Sequence, residues 1–261
     1  MPGKTAKEKL IALSWLLFLI FSVNLLFAQE PYKLPPKEIV DILDAPPLPM
    51  ISLDPQNKTM LLSYYQSMPS IDQVSQPFYG VAGLRITPHN NSRQVLRFYT
   101  KFVLKNIKTG KEISVNLPEG PVYSLPDWSP DGNYLALKKY LGDGLELWLV
   151  DASTGQSRKL FGPSLNAVLT EGYIWWPDSR SLLITINPAN RGPQPPAPRV
   201  PAGPNIQETS GKKAAVATYQ DLLRTPFDEK IFEYLSTIQL ARLDIRSGEL
   251  TNLGQPGMYQ E

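Results

Sequence analysis

A hydrolytic centre built on a serine or threonine needs a histidine to take the nucleophile's proton and an acid to orient that histidine. The 261-residue chain has one histidine, His89, and no cysteine. His89 sits in Pro88-His89-Asn90-Asn91, which reads as a solvated surface loop and not as a nucleophile turn. No Gly-x-Ser-x-Gly elbow occurs anywhere in the sequence. A single histidine excludes a histidine-rich zinc site. The absence of cysteine removes thiolate ligands, a thiol nucleophile and disulfides. Glycine-rich phosphate loops are missing, so nucleotide binding has no support. No catalytic, metal or cofactor residue is assigned, and no cofactor is expected. Whether the chain takes part in an enzyme stays open.

Two further sets of residues carry chemistry of another kind. Asp54, Asp131 and Asp178 could offer oxygens to calcium. A loop such as Asp54-Pro55-Gln56-Asn57 has too few oxygen ligands at alternating positions for an EF-type site, and turn formation accounts for these carboxylates instead. Trp128, Trp148, Trp175 and Trp176 could form a platform for a sugar ring. Aromatic residues of this kind more often fill the space between packed sheets, and that is the expectation here.

The positions of these residues follow from a repeat. In Asp127-Trp128-Ser129-Pro130-Asp131-Gly132-Asn133, Pro130 fixes φ and removes a donor, which stops a strand. Gly132 supplies the left-handed position of the turn, and Tyr134-Leu135-Ala136-Leu137 resumes an extended run. Leu53-Asp54-Pro55-Gln56-Asn57 and Trp175-Trp176-Pro177-Asp178-Ser179 repeat the unit. A second unit alternates with it, a hairpin with glycine at its tip in Thr109-Gly110, Thr154-Gly155 and Ser247-Gly248. The 45 residues from Gly110 to Gly155 match one four-stranded propeller blade, and the 93 from Gly155 to Gly248 match a blade plus an insertion. The fold class is therefore all-β: an incomplete β-propeller of four-stranded antiparallel blades, with short helices in an insertion.

Taken in order, residues 1–28 have the layout of a signal peptide. Lys4, Lys7 and Lys9 precede the apolar run Leu10–Phe27, and Ala28 offers a small residue for cleavage. The same run is long enough to serve as a membrane anchor if it is retained. Without residues 1–28 the chain carries 23 basic and 23 acidic residues. That balance, with no basic cluster in the body, gives no support to nucleic-acid binding. Export of a cysteine-free chain points to a periplasmic or extracellular location.

Residues 29–50 form an N-terminal extension with a short helix bearing Ile39, Ile42 and Leu43 on one face. Residues 51–261 form the partial propeller. Val122–Leu125 is expected as the first strand of the clearest blade, and Leu84–Pro88 as a short strand. A proline-rich and helical insertion occupies about 188–236, with seven prolines between Pro188 and Pro204. Two short helices are expected there. Thr218 would cap Tyr219–Leu223, and Thr225 would cap the next, whose apolar face is Phe227, Ile231 and Leu235.

Pro35–Asp41, Ala45-Pro46-Pro47, the Leu53-Asp54-Pro55 turn, Ser67–Ile71, Ala82–Ile86, the proline-rich insert and Tyr219–Leu223 together resemble the front part of glutamyl endopeptidases. These are serine peptidases of the prolyl oligopeptidase class. The likeness runs from about Tyr32 to the last residue. It implies an N-terminal β-propeller that restricts access to an α/β-hydrolase domain carrying a Ser/Asp/His triad, with this chain ending before that domain. The partner implied is then a separately encoded α/β-hydrolase domain, or a peptide. The other reading is a free-standing exported propeller that binds a protein or peptide. Three recognisable blades do not close a ring, and uncovered sheet edges favour association, so marginal solubility or oligomers are expected.

Overall fold

The structure, a computed structural model, describes residues 33–120, 123–200, 211 and 219–260. The proposed signal segment and Thr218 lie outside the described residues. The chain divides into two compact units, Met1–Ala45 and Pro46–Glu261. In the first, helix α1 (Lys37–Leu43) forms where the sequence places it and buries none of its residues.

The second unit runs β1 (Met50–Leu53), β2 (Thr59–Tyr65), α2 (Ile71–Ser75), β3 (Tyr79–Val81), β4 (Leu84–Thr87), β5 (Ser92–Arg93), β6 (Tyr99–Asn106) and β7 (Glu112–Ser114). It continues with β8 (Asp127–Trp128), β9 (Tyr134–Tyr140), β10 (Leu145–Asp151), β11 (Ser157–Phe161), β12 (Tyr173–Trp175) and β13 (Ser181–Ile186). Helix α3 (Pro226–Ser236) and strands β14 (Ile238–Asp244) and β15 (Leu250–Gly257) complete it. Three sheets are four-stranded antiparallel blades: β1-β2-β6-β7, β8-β9-β10-β11 and β12-β13-β14-β15. A three-stranded sheet, β3-β4-β5, sits inside the first blade's sequence. The fold is a β-propeller represented by three blades among the described residues.

The two repeated turns superimpose in their hydrogen bonding. In the first–second strand turn, the amides of Asp54, Ser129 and Trp176 donate to the carbonyls of Thr59, Tyr134 and Ser181, each at 2.9 Å. Asn57, Gly132 and Ser179 take the left-handed position, with φ of 55°, 71° and 56°. In the third–fourth strand turn, Asn106, Asp151 and Asp244 each use Oδ1 to accept the amides two and three residues on. Gly110, Gly155 and Gly248 then close the turn with φ of 71°, 71° and 73°. An Asx turn followed by glycine thus recurs three times, because a short side-chain acceptor and a left-handed residue are the two things such a turn requires. The amides of Ile107, Ala152 and Ile245 finally bond the carbonyls of Lys58, Asn133 and Arg180, each at 2.9 Å, tying the two turns of a blade together.

Each blade packs one face on the next blade's opposite face. Leu61, Phe102 and Leu104 of blade 1 meet Leu135, Leu137 and Val150 of blade 2 in one core. Ala136, Leu147 and Leu149 from the other face of blade 2 meet Leu182, Ile184, Ala241 and Leu243 of blade 3 in a second core. Period-2 alternation is what lets one strand serve both cores. Trp128, Trp148 and Trp175 lie in these seams, whereas Trp176 is exposed beneath the Arg242 guanidinium.

The structure corrects two expectations. Of the expected strand Val122–Leu125, the described residues Tyr123–Leu125 do not form the first strand of blade 2; that strand is Asp127–Trp128. Tyr123 only bridges Lys139 and Tyr99. Pro126 interrupts the line between them because it has no N–H to donate to β9. The short strand expected at 84–88 forms as Leu84–Thr87, within the inserted three-stranded sheet. The expected helix at 219–223 is absent, although the helix capped by Thr225 forms with a capping box to Asp228. Asp221 has φ of 56°, incompatible with a helix, and its carbonyl accepts the Gly83 amide at 2.8 Å. A tertiary backbone bond has overridden local propensity there.

The Gly-tipped turns differ in what surrounds them. A Cβ at Gly155 would lie 2.7 Å from the Ser114 carbonyl and 2.8 Å from Ile113 Cγ2 of blade 1, while Gly110 and Gly248 have open space. All three share the left-handed strain of about 1–2 kcal/mol on substitution. Gly155→Ala is therefore expected to destabilise clearly more than Gly110→Ala or Gly248→Ala in urea unfolding. Equal losses would show that the seam yields at this point.

Candidate functional site

The strand order sorts the connections to two ends of the blades. The first–second and third–fourth strand turns share one end, and the second–third connections lie at the other. At the turn end a polar basin of about 590 Å³ is lined by Gln56, Asn106, Asp131, Asp151, Asp178 and Arg246, among others. Gln56 donates to the Asp131 carbonyl at 2.5 Å, and the Asp131 amide donates to Ser179 Oγ at 3.0 Å. The three proline turns are thereby linked blade to blade.

The carboxylates at this end are committed to their own turns. Asp54 accepts the amides of Lys58 and Thr59 at 2.8 and 3.2 Å. Asp131 accepts the Ser129 hydroxyl at 2.6 Å and the Asn133 amide at 3.1 Å. Asp178 accepts the amides of Arg180 and Ser181 and the Arg242 guanidinium. Hydrogen bonds to Ser129 and Asn133 hold the Asp131 carboxyl below its ordinary value although burial opposes this, and backbone donors lead the same effect at Asp178. No three His, Cys, Asp or Glu side chains among the described residues are grouped so as to hold a metal ion.

The opposite end is built by two insertions at the same place in the blade. Blade 1 carries residues 66–98 between its second and third strands, and blade 3 carries 187–237 there. Blade 2 makes the same connection with the short turn 141–144. The two insertions pack on one another: Val81 and Ile86 of the small sheet meet Ile231 and Leu235 of α3 and Val168 in a third core. Arg191 staples them, donating from Nε to the Tyr234 carbonyl at 2.8 Å and from Nη1 to Asn91 and Asn187 at 2.7 and 2.8 Å. Its guanidinium stands 3.9 Å over the Tyr234 ring, a cation–π geometry. A cavity of about 370 Å³ opens at this end, bounded by Asp72, Gln73, His89, Gln94, Phe98 and Tyr140, among others. His89 is exposed at its wall, as a loop residue should be.

Between blades 2 and 3 lies a buried polar group that the sequence analysis did not single out. Lys138 is 6% exposed, and its ammonium donates to the Glu171 carbonyl at 2.7 Å and carboxylate at 2.9 Å. The Lys138 charge holds the Glu171 carboxyl below its ordinary value. Tyr173 donates to Asp127 Oδ2 and lies 2.8 Å from the Ala136 carbonyl, and burial pushes its phenol well up. The signal was present in Tyr134-Leu135-Ala136-Leu137-Lys138: alternation places Lys138 on the face of Ala136, which is a core face. These groups pair with one another across the seam. With the turn aspartates committed and His89 at the surface, the described residues bring together no nucleophile, base and orienting acid.

No protein-family model matches the chain. Over 247 residues it is 34% identical to a probable chloroplastic glutamyl endopeptidase of Oryza sativa subsp. japonica, covering 89% of this chain and 26% of that one. A protein of the same name from Arabidopsis thaliana is 32% identical over 243 residues, covering 87% and 25%. Homologues named glutamyl endopeptidase thus extend over most of the chain, which spans about a quarter of their length. Among solved structures, the β-propeller domain of the trilobed protease from Pyrococcus furiosus is similar at 13% identity with a TM-score of 0.39, over 81% of this chain and 45% of that one. The Pyrococcus horikoshii acylaminoacyl peptidase is similar at 13% identity with a TM-score of 0.38, over 76% and 24%.

The Lys138–Glu171 pair gives a pH-dependent prediction. Glu171 has a folded value below its ordinary 4.5, so its contribution is present above that value and is lost as pH falls through the folded one. Lys138→Met should cost about 1.5–3 kcal/mol at neutral pH, the range for hydrogen bonds to a charged group. The gap to the unsubstituted chain should narrow in acid. Melting curves at neutral pH and near pH 3 check this, and a gap that widens in acid would contradict it.

Proposed function

We propose that this chain, a homologue of the chloroplastic glutamyl endopeptidases, is a non-catalytic propeller segment of an exported serine peptidase of the prolyl oligopeptidase type. In this reading it limits which peptides reach an α/β-hydrolase domain that its own residues do not supply. The observation that carries the reading is the 34% identity extending over 247 residues, nearly the whole chain. Two features of the fold agree with it. The turn carboxylates and hydroxyls are engaged in holding the blades, which suits a scaffold. The two insertions form a packed layer at one end, which suits a cover. Export rests on the basic start and apolar run of residues 4–27. The partner would be the hydrolase domain, and the ligand in transit a peptide.

The test uses a glutamyl peptide substrate in a short and a long form. The chain alone should hydrolyse neither. Added to the hydrolase part of a homologue, it should suppress cleavage of the long substrate much more than of the short one. Hydrolysis by the chain alone, or equal effects on both substrates, would refute the proposal.

A further inference from the structure

The cavity of about 370 Å³ at the insertion end differs in kind from the basin at the turn end. Three pieces of the second unit wall it: helix α2, the turn between β4 and β5, and the short second–third strand turn of blade 2. Two aromatic rings border it, Phe98 and Tyr140, packed edge to face with centroids 5.2 Å apart. Four carboxamides stand around these rings, those of Gln73, Gln76, Asn90 and Gln94, with the hydroxyl residues Thr87 and Ser92.

The carboxylates of the basin are committed to their turns, but several polar groups here are not. The Gln94 amide, the Thr87 hydroxyl and the His89 ring have no side-chain hydrogen bond among the described residues. Asn90 spends Oδ1 on the Ser92 hydroxyl at 2.8 Å and keeps its amide nitrogen. No lysine or arginine borders the cavity, and its one carboxylate, Asp72, already accepts the Gln76 amide at 3.3 Å. An anion would find no counter-charge. The ligand that fits is neutral, offers both donors and acceptors to carboxamides, and has an apolar face for the rings. An extended peptide is disfavoured, because it binds a sheet by joining an open strand edge. Strand β4 is paired on both sides, by β3 and β5. Beyond β5, the Arg93 amide donates to the Ala167 carbonyl at 3.3 Å, and the Asn91 carbonyl accepts the Ala167 amide at 2.8 Å.

We propose that this cavity binds a neutral saccharide of one or two rings. The C–H face of a pyranose lies against Phe98 and Tyr140, and its hydroxyls meet the Gln94 amide, the Thr87 hydroxyl and the Asn90 amide nitrogen. The volume is at the small end of the range for ligand pockets, roughly 300–1,000 Å³, which suits a ligand of that size. The inference goes beyond the peptidase reading and does not rest on it.

Saturation-transfer NMR tests this on the full chain, in a detergent without sugar headgroups. The probes are maltose, cellobiose and N,N′-diacetylchitobiose, with the blocked peptide acetyl-Ala-Gln-Ala-amide as the rival ligand. At least one saccharide should bind, with saturation strongest on the C–H groups of one ring face and with the same affinity in low and high salt. Gln94→Leu and Thr87→Val, which should keep the native circular dichroism, should each weaken that binding by about 3- to 10-fold, the worth of one neutral hydrogen bond. Lys111→Ala, at an exposed hairpin tip of blade 1, should leave it unchanged. Failure of all three saccharides to bind the unsubstituted chain would overturn the proposal, whatever the variants do. So would binding that salt abolishes, affinity that survives both substitutions in folded protein, or the blocked peptide binding in place of the saccharides.

Discussion

The burial of one blade's face on the opposite face of the next is the interaction on which the rest depends. A four-stranded antiparallel sheet has two faces, and no blade here has a core of its own. Leu135 and Leu137 are fully buried only because Leu61, Phe102 and Leu104 cover them, and Leu147 and Leu149 only because blade 3 covers them. At about 25 cal/mol per Å² of apolar surface, such seams outweigh what isolated hydrogen bonds contribute in water. The turns serve the same end. Asx side chains and left-handed residues fix the register of each hairpin, and a one-residue slip would turn every seam residue to the wrong side.

This constraint explains why so few polar groups are free for chemistry. Asp54, Asp131 and Asp178 hold turns together, Asp127 and Tyr173 pair across a seam, and Lys138 meets Glu171 there. What varies between blades is the connection at the far end: four residues in blade 2, and long insertions in blades 1 and 3. Variation is tolerated there because the connection lies outside the seams. The third core then forms between the two insertions themselves. A scaffold of this kind is suited to shaping access and contact, which is the role proposed for it.

The blade repeat was legible because both turns depend on local chemistry. Pro55, Pro130 and Pro177 stop strands, and Gly110, Gly155 and Gly248 close hairpins, whatever surrounds them. The helix at Thr225 was legible for the same reason, through its cap and apolar stripe. The failures are positions decided at a distance. Tyr219–Leu223 has helical spacing, but the Asp221 carbonyl is taken by Gly83. Leu84–Thr87 is extended as expected, and its pairing with Tyr79–Val81 and Ser92–Arg93 sets it in the inserted sheet. The Arg191 staple joins Asn91, Asn187 and Tyr234 from three separate segments, a convergence that no local pattern announces.

If the seams are the source of stability, the blades cannot unfold one at a time. Urea unfolding followed by fluorescence in single-tryptophan variants reads each seam separately, with Trp128 kept for the first and Trp175 for the second. Coincident transitions with the same midpoint and slope are the predicted result. Separate midpoints, with one seam lost while the other persists, would show that the blades stand alone and would contradict the account.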